Sequence, residues 1–138
     1  MKMVHAVIEP SKDGYGLYFI TPSLDGVTTF GVTLDEVKEN AKTVLKELVE
    51  VYTENNETIP EELTGVNIDN LKIKFSFDLR YYFEHYTYLN ITEFAKKINI
   101  NASLLRQYRK GLAYSSEGQF ENIRNGLHFI GKELEAIL

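Results

Sequence analysis

Between Lys96 and Lys110 the chain carries five cations, Lys96, Lys97, Arg106, Arg109 and Lys110, and no acid. A run of one sign is the electrostatic footprint expected where phosphate is the partner. The residues around them are of types that read base edges: Arg106 suits guanine O6 and N7, Gln107 suits adenine N6 and N7, and Ser103 can donate or accept. Their spacing also provides a support. A short helix from Asn90 or Thr92 to near Ile98, a tight Asn99-Ile100-Asn101 corner and a second helix over 102–110 ended by Gly111 are the ingredients of a helix-turn-helix. In that arrangement Ala95 lies where only a small side chain fits, Ile100 plugs the corner, and Leu105 and Tyr108 anchor the second helix from beneath. Asn101, Ala102, Ser103, Arg106 and Gln107 then remain on the other face near the helix N-terminus, as base-reading candidates. Lys96, Lys97, Arg109 and Lys110 become the phosphate-neutralising set. The plainer alternative is a helical bundle with a solvated basic face, which has no need of five cations without an acid between them.

Other chemistries find little support. The absence of cysteine removes disulfides, thiolate metal sites and cysteine nucleophiles together. His5, His85 and His128 fall in separate expected elements without HxxxH or HxH spacing, so each is expected to be structural, and neither a metal nor a cofactor is called for. Gly14-Tyr15-Gly16 is too short for a phosphate cradle and reads as a turn. The acids of the first half fall on the polar side of a helix and in a connection, where they are solvated. The expectation is a chain that is not an enzyme.

The elements that position these residues follow from periodicity. Residues 3–8 form a β-branched strand closed by Glu9-Pro10, since proline cannot donate to a ladder. Ser-Lys-Asp-Gly at 11–14 turns the chain into a second strand over 15–21, and a turn at 22–26 leads to a third over 27–31, giving a three-stranded meander. Thr33 and Glu36 form a T-x-x-E capping box for a helix over 34–52. Its apolar face holds Leu34, Val37, Ala41, Val44, Leu45, Leu48 and Val51 or Tyr52 and should lie across the meander. Residues 53–65 read as a connection. Leu71 to Phe77 alternates Leu71, Ile73, Phe75 and Phe77 against Lys72, Lys74 and Ser76, a half-buried strand. Beyond Phe77 the pattern is helical: Asp78 caps a helix with Leu79, Tyr82, Phe83 and Tyr86, the helix pair follows, and residues 116–138 form a last long helix. The expected fold class is α+β, with β-β-β-α-β over 1–77 and an all-α domain over 78–138.

At 138 residues the chain fits one ordinary domain or two small ones. Its net charge of -5 conceals an asymmetry. Residues 1–65 hold five Lys, no Arg and twelve acids, a net of -7, whereas residues 66–138 hold ten basic residues against eight acids, a net of +2. The acidic half suits a basic protein partner. No apolar run approaches the roughly 20 residues of a membrane span, and MKMVHAVIEP lacks the apolar core of a signal peptide. A cytoplasmic protein with no membrane partner is expected.

YGLYFITPSLDGVTTFGVTLDEVKENAKTVL, at 15–45, resembles the N-terminal signature of HicB-type antitoxins. Tyr15, Pro22, Leu24, Gly26, Thr29, Gly31, Thr33 and Glu36 carry the match. Ser23, Asp25, Val27 and Val32 stand where that pattern has Asp, Pro, Cys and Asp, so the likeness is to its scaffold more than to its polar positions. The stretch ITEFAKKININASLLRQYRKGLAYSSEGQFENIRNGLHFIGKEL is similar to the helix-turn-helix that some such antitoxins carry. The resemblance implies a partial RNase H-like domain without nuclease activity. It also implies a partner, a small basic HicA-like toxin that cleaves mRNA, and repression of the chain's own operon by a dimer or larger homo-oligomer bound to operator DNA. Two other classes stay open: an orphan DNA-binding regulator whose first domain dimerises or senses a ligand, and an RNase H-like enzyme, which would need clustered buried carboxylates.

Overall fold

In the computed structural model, which describes residues 2–138, the chain is α+β and divides into two compact units, one ending at Ser76 and the other running from Phe77 to Leu138. The first unit is built on strands β1 (Met3–Ser11), β2 (Gly14–Phe19), β3 (Thr28–Gly31) and all but the last residue of β4 (Lys72–Phe77), with helix α1 (Leu34–Glu54) between β3 and β4. The sheet order is β3-β2-β1-β4, so the chain leaves the meander at β3 and returns through α1 to the opposite edge.

β1 and β2 pair antiparallel, with Ala6 opposite Phe19 and Ile8 opposite Leu17. Directly opposed residues share a face, and these four are fully or almost fully buried. β1 does not stop at Glu9-Pro10, as its sequence suggests, but runs to Ser11 with Pro10 opposite Tyr15. A proline near the end of a strand costs the ladder little. Lys12 and Asp13 alone make the connection, and Ser11 Oγ accepts from Asp13 N–H at 3.3 Å and donates to Gly14 O at 3.1 Å.

α1 begins at the Thr33 cap, whose Oγ1 accepts from Glu36 N–H at 3.1 Å. The reciprocal half of the box is displaced by one residue, because Glu36 Oε1 accepts from Val32 N–H at 3.3 Å. Val37, Ala41 and Leu45 are fully buried, Val44 and Leu48 half-buried and Val51 exposed, so the helix lifts from the core towards its C-terminus. It also runs to Glu54, two residues past its expected end. Short 3-10 turns at Glu61–Leu63 and Ile68–Asn70 tuck Leu63 and Ile68 into the unit, so the segment after α1 is anchored by apolar side chains.

In β4 the expected alternation holds only in part. Ile73 and Phe75 are half-buried, and Ser76, expected on the solvent side, is buried. There its Oγ lies 2.8 Å from Nε2 of the half-buried His5. Burial, and then the nearby Lys74 charge, hold the His5 pKa below the ordinary value of 6.5. An unfolded His5 therefore takes up a proton at a higher pH than a folded one, and stability should rise with pH through the interval below 6.5. Chemical denaturation between pH 5 and 7 is expected to show that slope in the native chain and a shallower one in His5→Gln.

The second unit has four helices: α2 (Arg80–His85), α3 (Ile91–Ile98), α4 (Ala102–Lys110) and α5 (Glu117–Ile137). Asp78, expected as the cap of α2, lies one position too early. Leu79 is the N-cap residue, while Asp78 accepts from the Arg80 N–H at 3.1 Å and pairs with its guanidinium at 2.7 Å. Phe77, Leu79, Phe83, Phe94, Ala95, Leu105, Phe120 and Ile123 form the core. Phe77 and Phe120 stack with centroids 4.5 Å apart, and the Phe77 N–H and C=O pair with Ser115. Gly126 allows α5 to approach α3, since a Cβ there would run into Ile98 Cγ2. Among the described residues no helix is long and apolar enough to cross a membrane.

Candidate nucleic-acid interface

Three asparagines organise the region of the candidate site. Asn90 caps α3 by accepting from Glu93 N–H at 3.1 Å. Asn99 ends that helix in the left-handed conformation, at φ 58° and ψ 46°, which asparagine tolerates better than bulkier residues. Asn101 caps α4, its Oδ1 accepting from the N–H groups of Ser103 at 2.8 Å and Leu104 at 3.2 Å. The corner is thus three residues long, and Ile100 N–H closes it on Ala95 O at 2.9 Å.

Hydrophobic contacts fix the two helices on this corner. Ala95, Ile100, Leu105 and Tyr108 are all buried. Burial also pushes the Tyr108 phenol pKa up. Asn122 Nδ2, from α5, donates to Ile98 O at 3.0 Å and so satisfies a carbonyl that the end of α3 leaves open. α4 ends at Gly111, with φ 73° and the Arg80 side chain packed against its Cα. Gly111→Ala would meet both a left-handed backbone and Arg80, whose guanidinium is held by Asp78. A loss of about 1–3 kcal/mol is expected, measured as a drop in the urea midpoint.

The base-reading candidates separate into two groups. Ser103 and Gln107 are exposed on α4, and Ala102 is half-buried beside them. Asn101 is exposed, but its carbonyl oxygen is taken up by capping, which leaves the amide NH2 to contact a ligand. Arg106 is half-buried, and its Nη2 donates to Thr92 Oγ1, in the first turn of α3, at 2.6 Å. That bond ties α4 to α3 and uses one of five guanidinium donors. The sequence offers Thr92 as a possible helix start and not as a partner of Arg106, since nothing in a lone threonine signals an arginine fourteen residues on.

The four phosphate candidates are all exposed, but they are not equally available. Lys96 pairs with Glu93 at 3.3 Å within α3. Lys97 pairs with Glu133 of α5 at 3.3 Å and lies 4.9 Å from the centroid of the Phe129 ring. Arg109 and Lys110 stand in the last turn of α4, where cations complement the helix dipole. Among the described residues no ion pair engages either one. The expanse without acids in the sequence is therefore not free of acids in space, and the unpaired charge is concentrated at the end of α4.

His85 Nδ1 lies 2.9 Å from Tyr81 O within α2, and in the first unit His5 Nε2 lies 2.8 Å from Ser76 Oγ. Among the described residues no three His, Asp or Glu side chains gather into a metal-binding group. Comparison with protein-family models, curated proteins and solved structures finds no match to this chain.

Proposed function

We propose that the second unit binds operator DNA by laying α4 in a major groove, with α3–corner–α4 acting as a helix-turn-helix. The observation that carries this reading is the division of α4 into two faces. Leu105 and Tyr108 are buried, while Ser103, Gln107, Arg109 and Lys110 are exposed and chemically suited to bases and phosphates. Ser103 and Gln107 contact base edges, with Ala102 and the Asn101 amide beside them. Arg109 and Lys110 neutralise phosphates. Lys96 and Lys97 join them by exchanging Glu93 and Glu133 for phosphate, and Arg106 holds the helix pair at its working angle while its other donors face the groove.

The first unit, in the same proposal, is a partial RNase H-like domain that neutralises a small basic HicA-like toxin, and the chain acts as a cytoplasmic antitoxin that represses its own operon as a dimer. The resemblance of residues 15–45 suggests this role, and the acidic surface of α1 supports it. Asp35, Glu36, Glu39, Glu47, Glu50 and Glu54 are all exposed there, and complementary charge speeds encounter and selects orientation.

Two measurements test the two halves. Fluorescence anisotropy of the DNA upstream of the chain's own reading frame should show saturable, salt-dependent binding that excess unrelated duplex does not remove. Growth arrest by a neighbouring short basic reading frame should be relieved by co-expression of this chain. Binding without relief of arrest would leave a DNA-binding regulator whose first unit dimerises or senses a ligand, and equal affinity for all duplexes would remove the operator reading.

A further inference from the structure

Among the described residues β4 lies at the edge of the sheet, with β1 as its strand neighbour. An edge strand presents a row of backbone N–H and C=O groups with which another chain can pair. Phe77 identifies the row, because both of its backbone groups bond Ser115, at 2.9 and 2.8 Å, and so neither serves β1. Alternate residues of a strand present their backbone to the same side, so Phe75 and Ile73 continue the outward row and Ser76, Lys74 and Lys72 face β1.

Ile73 and Phe75, together with Leu71, also line an open groove of about 430 Å³. Its other wall is one stripe of α1: Asp35, Lys38, Glu39 and Lys42, at i, i+3, i+4 and i+7. Lys38 Nζ stands 5.4 Å from the Phe75 centroid, on the groove rim. The outward backbone row and a partly apolar groove thus run side by side, as strand addition requires: main-chain bonds hold the guest, and alternate side chains enter the groove. Charge selects the guest. The α1 stripe is balanced, with two acids and two lysines. The exposed Lys72 and Lys74 lie on the other face of β4, with Ser76, so they alone set the preference for cross-strand neighbours. A second copy of β4 would place lysines against lysines, and β3, the other edge, carries no acid.

We propose that the outer edge of β4 and the groove between β4 and α1 form a docking site for an extended segment of a partner protein in which apolar and acidic side chains alternate. The apolar side chains enter against Leu71, Ile73 and Phe75, and the acids lie opposite Lys72 and Lys74. This site goes beyond DNA recognition and toxin neutralisation and depends on neither.

The test uses the full chain, labelled with ¹⁵N, and short capped peptides of alternating Val and Glu, of alternating Val and Lys, and of the Val-Glu sequence N-methylated at every second amide. Saturable shifts of the Ile73 and Phe75 amides are expected with the Val-Glu peptide, about tenfold weaker binding with the Val-Lys peptide, and none after N-methylation. Lys72→Glu combined with Lys74→Glu should reverse the preference. If that variant fails to fold, the comparison of peptides on the native chain still decides. No saturable shift at Ile73 and Phe75 up to millimolar peptide, equal affinity for the Val-Glu and Val-Lys peptides, or binding that survives N-methylation would each overturn the proposal.

Discussion

Replacing both Arg109 and Lys110 by glutamate is expected to abolish binding to operator DNA at physiological salt while leaving the fold intact. The two side chains are exposed at the end of α4, engage no acid among the described residues, and contribute nothing to the buried set of Leu105 and Tyr108. On duplex DNA each neutralised phosphate contributes about 0.9 to the slope of log K against log salt, so losing two contacts should flatten that slope by about 2. Reversal adds repulsion from the phosphates that flank the contacts. The loss should be nearly uniform across DNA sequences, because phosphate contacts fix position and carry no sequence information.

Gln107→Ala is the control with the opposite signature. Its salt slope should stay the same, and the cost, about 1–3 kcal/mol, should fall on a single base pair of the site. Titrations of both variants against the operator and an unrelated duplex, each at several salt concentrations, distinguish the two roles. A double Arg109/Lys110 variant that retains native affinity and slope would remove α4 as the DNA-facing helix.

What could be read from the sequence follows the range of the interactions involved. The helix starts near Asn90 and Ser116, the Asn99-Ile100-Asn101 corner and the end of α4 at Gly111 are local hydrogen-bond and backbone effects, each decided within four residues. Burial of Ala95, Leu105 and Tyr108 follows from helical spacing and that of Ile100 from its place in the corner. What the sequence does not give are contacts between residues far apart along it. Ser76 looked solvent-facing because strand alternation knows nothing of His5, 71 residues away. Lys97 looked free because Glu133 is 36 residues on. Arg106 looked like a base reader by type, but its position beside Thr92 depends on how closely α3 and α4 pack. Side-chain type therefore identified a basic face, and tertiary packing decided which of its charges remain available.

Phe120→Ala is expected to destabilise the second unit by about 3–5 kcal/mol, the usual cost of emptying a buried phenylalanine site. Phe120 is fully buried and stacks on Phe77 at 4.5 Å with the ring planes 8° apart, while Tyr82 lies 6.3 Å away and the Arg124 guanidinium 5.8 Å from its centroid. Removing the ring leaves Phe77 without its stacking partner, and neighbouring backbone is too constrained by the Phe77–Ser115 pairing to collapse far into the space. A domain is stable by only about 5–15 kcal/mol, so the loss takes a large share of the total. Hydrogen exchange should therefore show lower protection across α3, α4 and α5, with a lower urea midpoint for the same unit. DNA binding should weaken too, but by a different route from that of the Arg109 and Lys110 reversal. A variant that loses binding because its recognition unit is partly unfolded regains it on cooling towards the temperature of maximum stability, whereas one that has lost phosphate contacts does not. If Phe120→Ala changes stability by less than about 1 kcal/mol, the Phe77–Phe120 stack is not the centre of that core.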